Sequence, residues 1–114
     1  MEPEPRELLI YETKQGAAPL VSWLNSLSDR GARARIKKRL DRAALGNFGN
    51  CRFVGGGVFE LKINCGPGYR VYFAQFEKLI VLLLCGGDKS TQERDILQAK
   101  KFWIDFKQRE DADK

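Results

Sequence analysis

The stretch from Val58 to Cys85 constrains the fold more than any other part of the chain. Its side chains change character with a period of two, and its interruptions are tight turns. In Val58 to Asn64, Phe59, Leu61 and Ile63 point one way and Glu60 and Lys62 the other, as in a strand with two unlike faces. Gly66, Pro67 and Gly68 turn the chain into a second strand, Tyr69 to Phe76, with Val71 and Phe73 on one face and Arg70 and Tyr72 on the opposite one. Glu77 and Lys78 lead into Leu79 to Cys85, which is apolar at every position and therefore expected at the centre of a sheet, covered on both faces. Gly55, Gly56 and Gly57 read as a hairpin turn between a brief run at Arg52 to Val54 and the strand at Val58. They are not a phosphate loop, because no Gly-Lys-Ser/Thr follows and the next element is a strand. An antiparallel meander results.

Around it the period is helical. After a short strand near residues 7 to 13, Pro19 opens a helix whose Leu20, Trp23, Leu24 and Leu27 form one apolar stripe. Ser28 or Asp29 caps a second helix, in which Ala32, Ile36, Leu40 and Ala43 repeat at helical spacing and Gly46 suits a left-handed C-terminal cap. Ser90, Thr91, Gln92 and Glu93 read as a capping box for a last helix with Ile96, Ala99, Trp103 and Phe106 on one face. Trp23 and Trp103 sit on apolar stripes and read as core. The expected fold is α+β: an antiparallel-rich sheet of about four strands, a helical hairpin on one face and a C-terminal helix. With 114 residues the chain is expected to form one domain, 1–114, frayed at 1–6 and 110–114.

Several function classes drop out on composition. Histidine is absent, which removes His-based triads and His-ligated metals. Cys51, Cys65 and Cys85 are too few and too scattered for a disulfide framework or a zinc site, so neither a metal nor another cofactor is expected. The longest apolar run, Leu79 to Cys85, is far shorter than the roughly 20 residues of a membrane-spanning helix. Residues 1 to 15 carry four glutamates and no basic head, so no secretory signal is read and the expected compartment is the cytoplasm. The net charge of +5 is unevenly placed: Arg30, Arg33, Arg35, Lys37, Lys38, Arg39 and Arg42 face only Asp29 and Asp41. By charge alone this helix either binds a polyanion or presents a solvated face.

The parity of the two alternating strands then matters. With Phe59, Leu61, Ile63, Val71 and Phe73 packed inward, Glu60, Lys62, Arg70 and Tyr72 emerge together on the face that the hairpin leaves uncovered. Asp88 and Lys89 follow the central strand, behind Gly86 and Gly87, which allow a close backbone approach to a ligand. Singly each residue reads as an ordinary surface group. Converging, Lys62, Arg70 and Lys89 suit a phosphodiester, whose transition state gathers negative charge on its non-bridging oxygens.

Three segments, Gly57-Val58-Phe59-Glu60-Leu61-Lys62, Gly66-Pro67-Gly68-Tyr69-Arg70-Val71-Tyr72-Phe73 and Leu82-Leu83-Leu84-Cys85-Gly86-Gly87-Asp88-Lys89-Ser90, together resemble the RelE/ParE toxin superfamily. The match is nearest its HigB-like "addiction module killer protein" branch. The resemblance implies a type II toxin that cuts mRNA, commonly on the translating ribosome, and a cognate antitoxin of a kind that often carries a helix-turn-helix domain. With no metal cluster legible, the cleavage is expected to be metal-independent. Carried over by position, Arg70 resembles the arginine that contacts the scissile phosphate, Lys62 the basic residue of the preceding strand, and Lys89 the basic residue after the last strand. Glu60 is expected to assist Lys62. The tyrosine or histidine that some members supply from the C-terminal helix has no counterpart here. Arg33, Lys37, Lys38, Arg42 and Tyr72 are the expected RNA-binding residues. The rival reading is a non-enzymatic toxin, acting on DNA gyrase as the ParE branch does or blocking the ribosome by occupancy.

Overall fold

A computed structural model of the chain describes residues 4–113. The elements run β1 (Glu7–Ile10), α1 (Pro19–Ser26), α2 (Arg30–Ala44), β2 (Cys51–Gly55), β3 (Val58–Ile63), β4 (Tyr69–Phe76), β5 (Ile80–Gly87) and α3 (Gln92–Ala112), with one 3-10 turn at Lys89–Thr91 leading into α3. They form an α+β fold around a five-stranded mixed sheet of order β1-β5-β4-β3-β2. β1 pairs parallel with β5 and every other pairing is antiparallel. The sequence pattern leads to about four strands. The fifth is the short Arg52 run, which is too brief to show a period and gains strand form by pairing with β3 as an edge. β5, apolar throughout, lies between β1 and β4 as its composition requires.

The period-two pattern of β3 and β4 divides the core in two. Leu61, Ile63, Val71 and Phe73 face the hairpin and pack with Leu20, Ile36 and Leu40. Val58, Tyr72 and Ala74 face the other way, with Leu82 and Leu84 of β5, and are sealed by Ala99 and Trp103 of α3. This corrects the expectation of an uncovered face. The stripe of α3 has to be buried somewhere, and β5 supplies apolar residues to both faces, so the helix lies over the second one. It leaves open the end beyond its own N-terminus, where Lys62 and Arg70 stand opposite each other.

Local chemistry fixes the joints. Pro19 occupies the first turn of α1. Asp29 rather than Ser28 caps α2, accepting from the Ala32 N–H at 3.1 Å. The last helical segment is capped by Asp88 rather than Ser90: its carboxylate accepts from the Ser90 N–H at 2.8 Å, while its own N–H donates to the Thr91 hydroxyl. α3 continues to Ala112, past the point at Arg109 where the charged tail is expected to fray. Gly86 and Gly87 belong to β5 and make room for the protein's own side chains, not for a ligand. A Cβ at Gly86 would overlap the Trp23 ring, and one at Gly87 the Asp95 carboxylate.

α3 is tied to the first strand through Tyr11, whose hydroxyl donates to Asp105 at 2.6 Å beneath the Arg109 guanidinium. Burial, and then the Asp105 carboxylate, raise the phenol from its ordinary 10.0 to about 12. A raised value means that the contribution is fully present below pH 10 and is lost as pH climbs toward 12. Alkaline melting curves are therefore expected to fall over that interval in the native chain and to fall less in Tyr11→Phe. Parallel curves would remove Tyr11 as the anchor.

Candidate functional site

Strand register builds the site. Arg52 stands opposite Glu60, Glu60 opposite Tyr72, and Lys62 opposite Arg70, so all five side chains project toward the α3 side of the sheet. Because α3 begins only at Gln92, the end of this face carrying Lys62 and Arg70 remains a cleft of about 290 Å³. Its lining is Asn50, Arg52, Glu60, Lys62, Arg70 and Gln92, three cations against one carboxylate.

Glu60 is the hub. It is 3% exposed, and its two oxygens accept from Arg52 Nε at 2.9 Å, Tyr72 OH at 3.0 Å and Gln92 Nε2 at 2.8 Å. Arg70 Nε lies 3.7 Å away as an ion pair. Burial alone would raise the carboxyl, but the hydrogen bonds from Arg52, Gln92 and Tyr72 and the charge of Arg52 outweigh it and hold the group below the ordinary carboxylate value. Glu60 is thus a fixed anion with three donors on its two oxygens. The same contact, added to burial, drives the Tyr72 phenol far above its ordinary value.

The arginine is not exposed as the strand parity led one to expect. Arg70 is 6% exposed, with Nη1 donating to the Gly68 carbonyl at 2.6 Å, and its buried Nε has no hydrogen-bond partner. Lys62 is half-buried at the cleft wall. Lys89 is exposed at the start of the 3-10 turn and does not line the cleft; its N–H meets the Pro67 carbonyl at 3.4 Å, beside the glycine that Arg70 bonds. Tyr72, expected on the RNA-binding surface, is fully buried, so its ring offers no face to a base and its hydroxyl reaches the cleft only through Glu60. The physical reason is again the coverage by α3.

The basic helix is split by its packing. Arg33 and Lys37 line a groove against α1, with Arg30. Lys38 and Arg42 lie on the other flank with Arg35 and Arg39. Arg39 Nη2 donates to the Asn50 carbonyl at 3.3 Å, which joins that flank to the cleft. Sequence reasoning missed Arg52, Asn50 and Gln92 as lining residues. The signal for Arg52 was present: the triple-glycine hairpin turn, carried through to a paired strand, sets Arg52 against Glu60. Among the described residues no group of three or more Cys, Asp or Glu side chains is placed to hold a metal ion.

The fold and the cleft define a small basic α+β protein with a buried arginine beside a lysine, in an arrangement suited to an anionic ligand. The family model "Phage derived protein Gp49-like (DUF891)" matches residues 22–102, from α1 into α3, and the chain belongs to that family. The chain is also 52% identical over 79 residues to an uncharacterized protein of Haemophilus influenzae, covering 69% of this chain and 80% of the relative. The Gp49-like family is associated with toxin–antitoxin systems, which implies a cognate antitoxin as partner. No helix among the described residues is long and apolar enough to cross a membrane.

Proposed function

We propose that the chain is a HigB-like toxin of the RelE/ParE superfamily, an endoribonuclease that cuts mRNA on the ribosome without a metal. The observation that carries this reading is the cross-strand pair of Lys62 and Arg70 on one cleft, with Arg52 added and the single carboxylate already engaged by donors. Such a site holds an anion and has a nitrogen base beside it. In the reaction the 2'-hydroxyl oxygen attacks the adjacent phosphorus while its proton passes to Lys62, which serves as base only in its neutral amine form. Arg70 holds the non-bridging oxygens as their charge grows. The bond from phosphorus to the 5'-oxygen breaks, and Lys89, from beside Gly68, supplies the proton to that oxygen. The products are a 2',3'-cyclic phosphate and a 5'-hydroxyl. Glu60, ionised and already held by three donors, positions Arg52 and Arg70 rather than acting as the base.

Lys38 and Arg42, on the flank that meets the cleft through Arg39 and Asn50, hold phosphates farther along the RNA. Neutralising Arg35, Lys38 and Arg42 together is expected to weaken ribosome association and flatten its salt dependence, with the fold intact. An unchanged salt slope would return that flank to plain solvation. The decisive experiment is the mapping of RNA ends in cells after induced expression. New 5'-hydroxyl ends within translated mRNA are expected, together with growth arrest. Arrest without new RNA ends would replace the enzyme by the non-enzymatic toxin, and chromosomal breaks would point to gyrase.

A further inference from the structure

The groove between α1 and α2 differs from the cleft in its chemistry. It encloses about 580 Å³, with Val21 and Leu24 of α1 and Ala34 of α2 as an apolar floor and Arg30, Arg33 and Lys37 as a cationic rim. No acidic side chain lines it, and none of the three cations forms an ion pair among the described residues. Val21 is left 41% exposed on the floor. A polynucleotide would satisfy the rim and leave that floor wet. The floor calls for apolar side chains and the rim for carboxylates, and one ligand carries both at this spacing.

We propose that this groove is the docking site for an acidic amphipathic helix of the antitoxin, an inference that rests on the toxin reading above. Val21 and Leu24 stand three residues apart, and Arg30, Arg33 and Lys37 follow the three- and four-residue ridge of α2. A third helix laid in the groove sets its own ridge of residues three and four apart on Val21, Leu24 and Ala34. Carboxylates on its flank then meet Arg30, Arg33 and Lys37. From Arg30 to Lys37 the rim covers seven residues of rise, about 10 Å, or two turns of such a helix. The groove lies on the hairpin side of the sheet and the cleft on the α3 side, so this helix grips the toxin without entering the cleft. Arg33 and Lys37 thereby leave the RNA-binding set for the antitoxin surface.

The test co-expresses the chain with the protein encoded by the adjoining gene and measures neutralisation, co-purification and ribosome cosedimentation. Arg30→Glu, Arg33→Glu and Lys37→Glu combined are expected to weaken the toxin–antitoxin complex by a hundredfold or more and to abolish rescue, while ribosome cosedimentation persists. Val21→Asp alone, an exposed change outside the core, is expected to weaken the complex at least tenfold and serves where the triple variant melts early. A neutralised wild type together with fully neutralised triple and Val21 variants would overturn the groove alone. A triple variant that keeps the antitoxin and loses the ribosome would make the groove an RNA surface and overturn it too. A wild type that the adjoining protein fails to neutralise would instead bring down the antitoxin reading on which the groove depends.

Discussion

Lys62→Ala is expected to lower mRNA cleavage by about 10² to 10⁴-fold with an unchanged melting temperature, the scale of losing a group that takes a proton in the transition state. Its side chain is half-buried and makes no ion pair among the described residues, so its removal leaves nothing stranded. Arg70→Ala is expected to cost about 10² to 10³-fold in cleavage, and it will also lower stability. The guanidinium is buried, bonds the Gly68 carbonyl and pairs with Glu60, so activity and melting temperature fall together. Arg70→Lys separates the two effects by keeping the charge without the planar fork. It should recover stability more fully than cleavage. Primer extension with ribosomes present, run beside melting curves, reads both quantities. Full cleavage by the Lys62 and Arg70 alanine proteins would sink the site, and a loss of cleavage that only tracked melting would reduce both residues to structure.

The second large effect is on stability, at Glu60. Removing one partner from a buried, hydrogen-bonded charge leaves the others uncompensated, which costs about 3 to 5 kcal/mol. Glu60→Ala would leave Tyr72 OH and Gln92 Nε2 without this acceptor and the buried Arg70 guanidinium without its ion pair. A domain of this size has only about 5 to 15 kcal/mol in all. Glu60→Gln keeps an acceptor oxygen and is expected to cost less. Acid separates them further. The Glu60 carboxyl is held below its ordinary 4.5, so its contribution is present above pH 4.5 and is lost as pH falls through the lower folded value. Stability measured from pH 6 downward should therefore drop in the native chain by more than in Glu60→Gln. Acid curves of equal slope would take Glu60 out of the hub.

The sequence disclosed most where a single period governed a segment. β3 and β4 show which residues share a face, and Lys62 and Arg70 fall opposite each other because the Gly66-Pro67-Gly68 turn sets the register. The apolar run of β5 marks an interior strand covered on both faces, although the middle of the sheet is β4. What stayed hidden depends on contacts between distant elements. Nothing local in Arg52 to Val54 marks a strand; it becomes one through β3. Nothing in Tyr72 reveals burial, since an alternating strand reads alike whether its second face meets water or Trp103. The α3 stripe was legible and its destination was not, and from that one gap came the expected exposure of Arg70 and the unseen role of Gln92. Asp88 displaced Ser90 as the cap because the short 3-10 turn precedes the α-helix, a distinction that residue type alone does not make.

The parallel pairing of β1 with β5 sets an order on synthesis. Glu7 lies against Ile80 and Ile10 against Leu83, so the first strand made waits for nearly the last before it has a neighbour. Helices α1 and α2 form early from local contacts, but the sheet on which they rest cannot close while β5 is unmade, and long-range strand pairing is slow to form. Gln92, which completes the Glu60 hub, is made later still. A chain still attached to the ribosome that makes it therefore lacks a finished cleft until Gln92 has been made. The topology postpones the assembled site until β5 and the start of α3 have both been made.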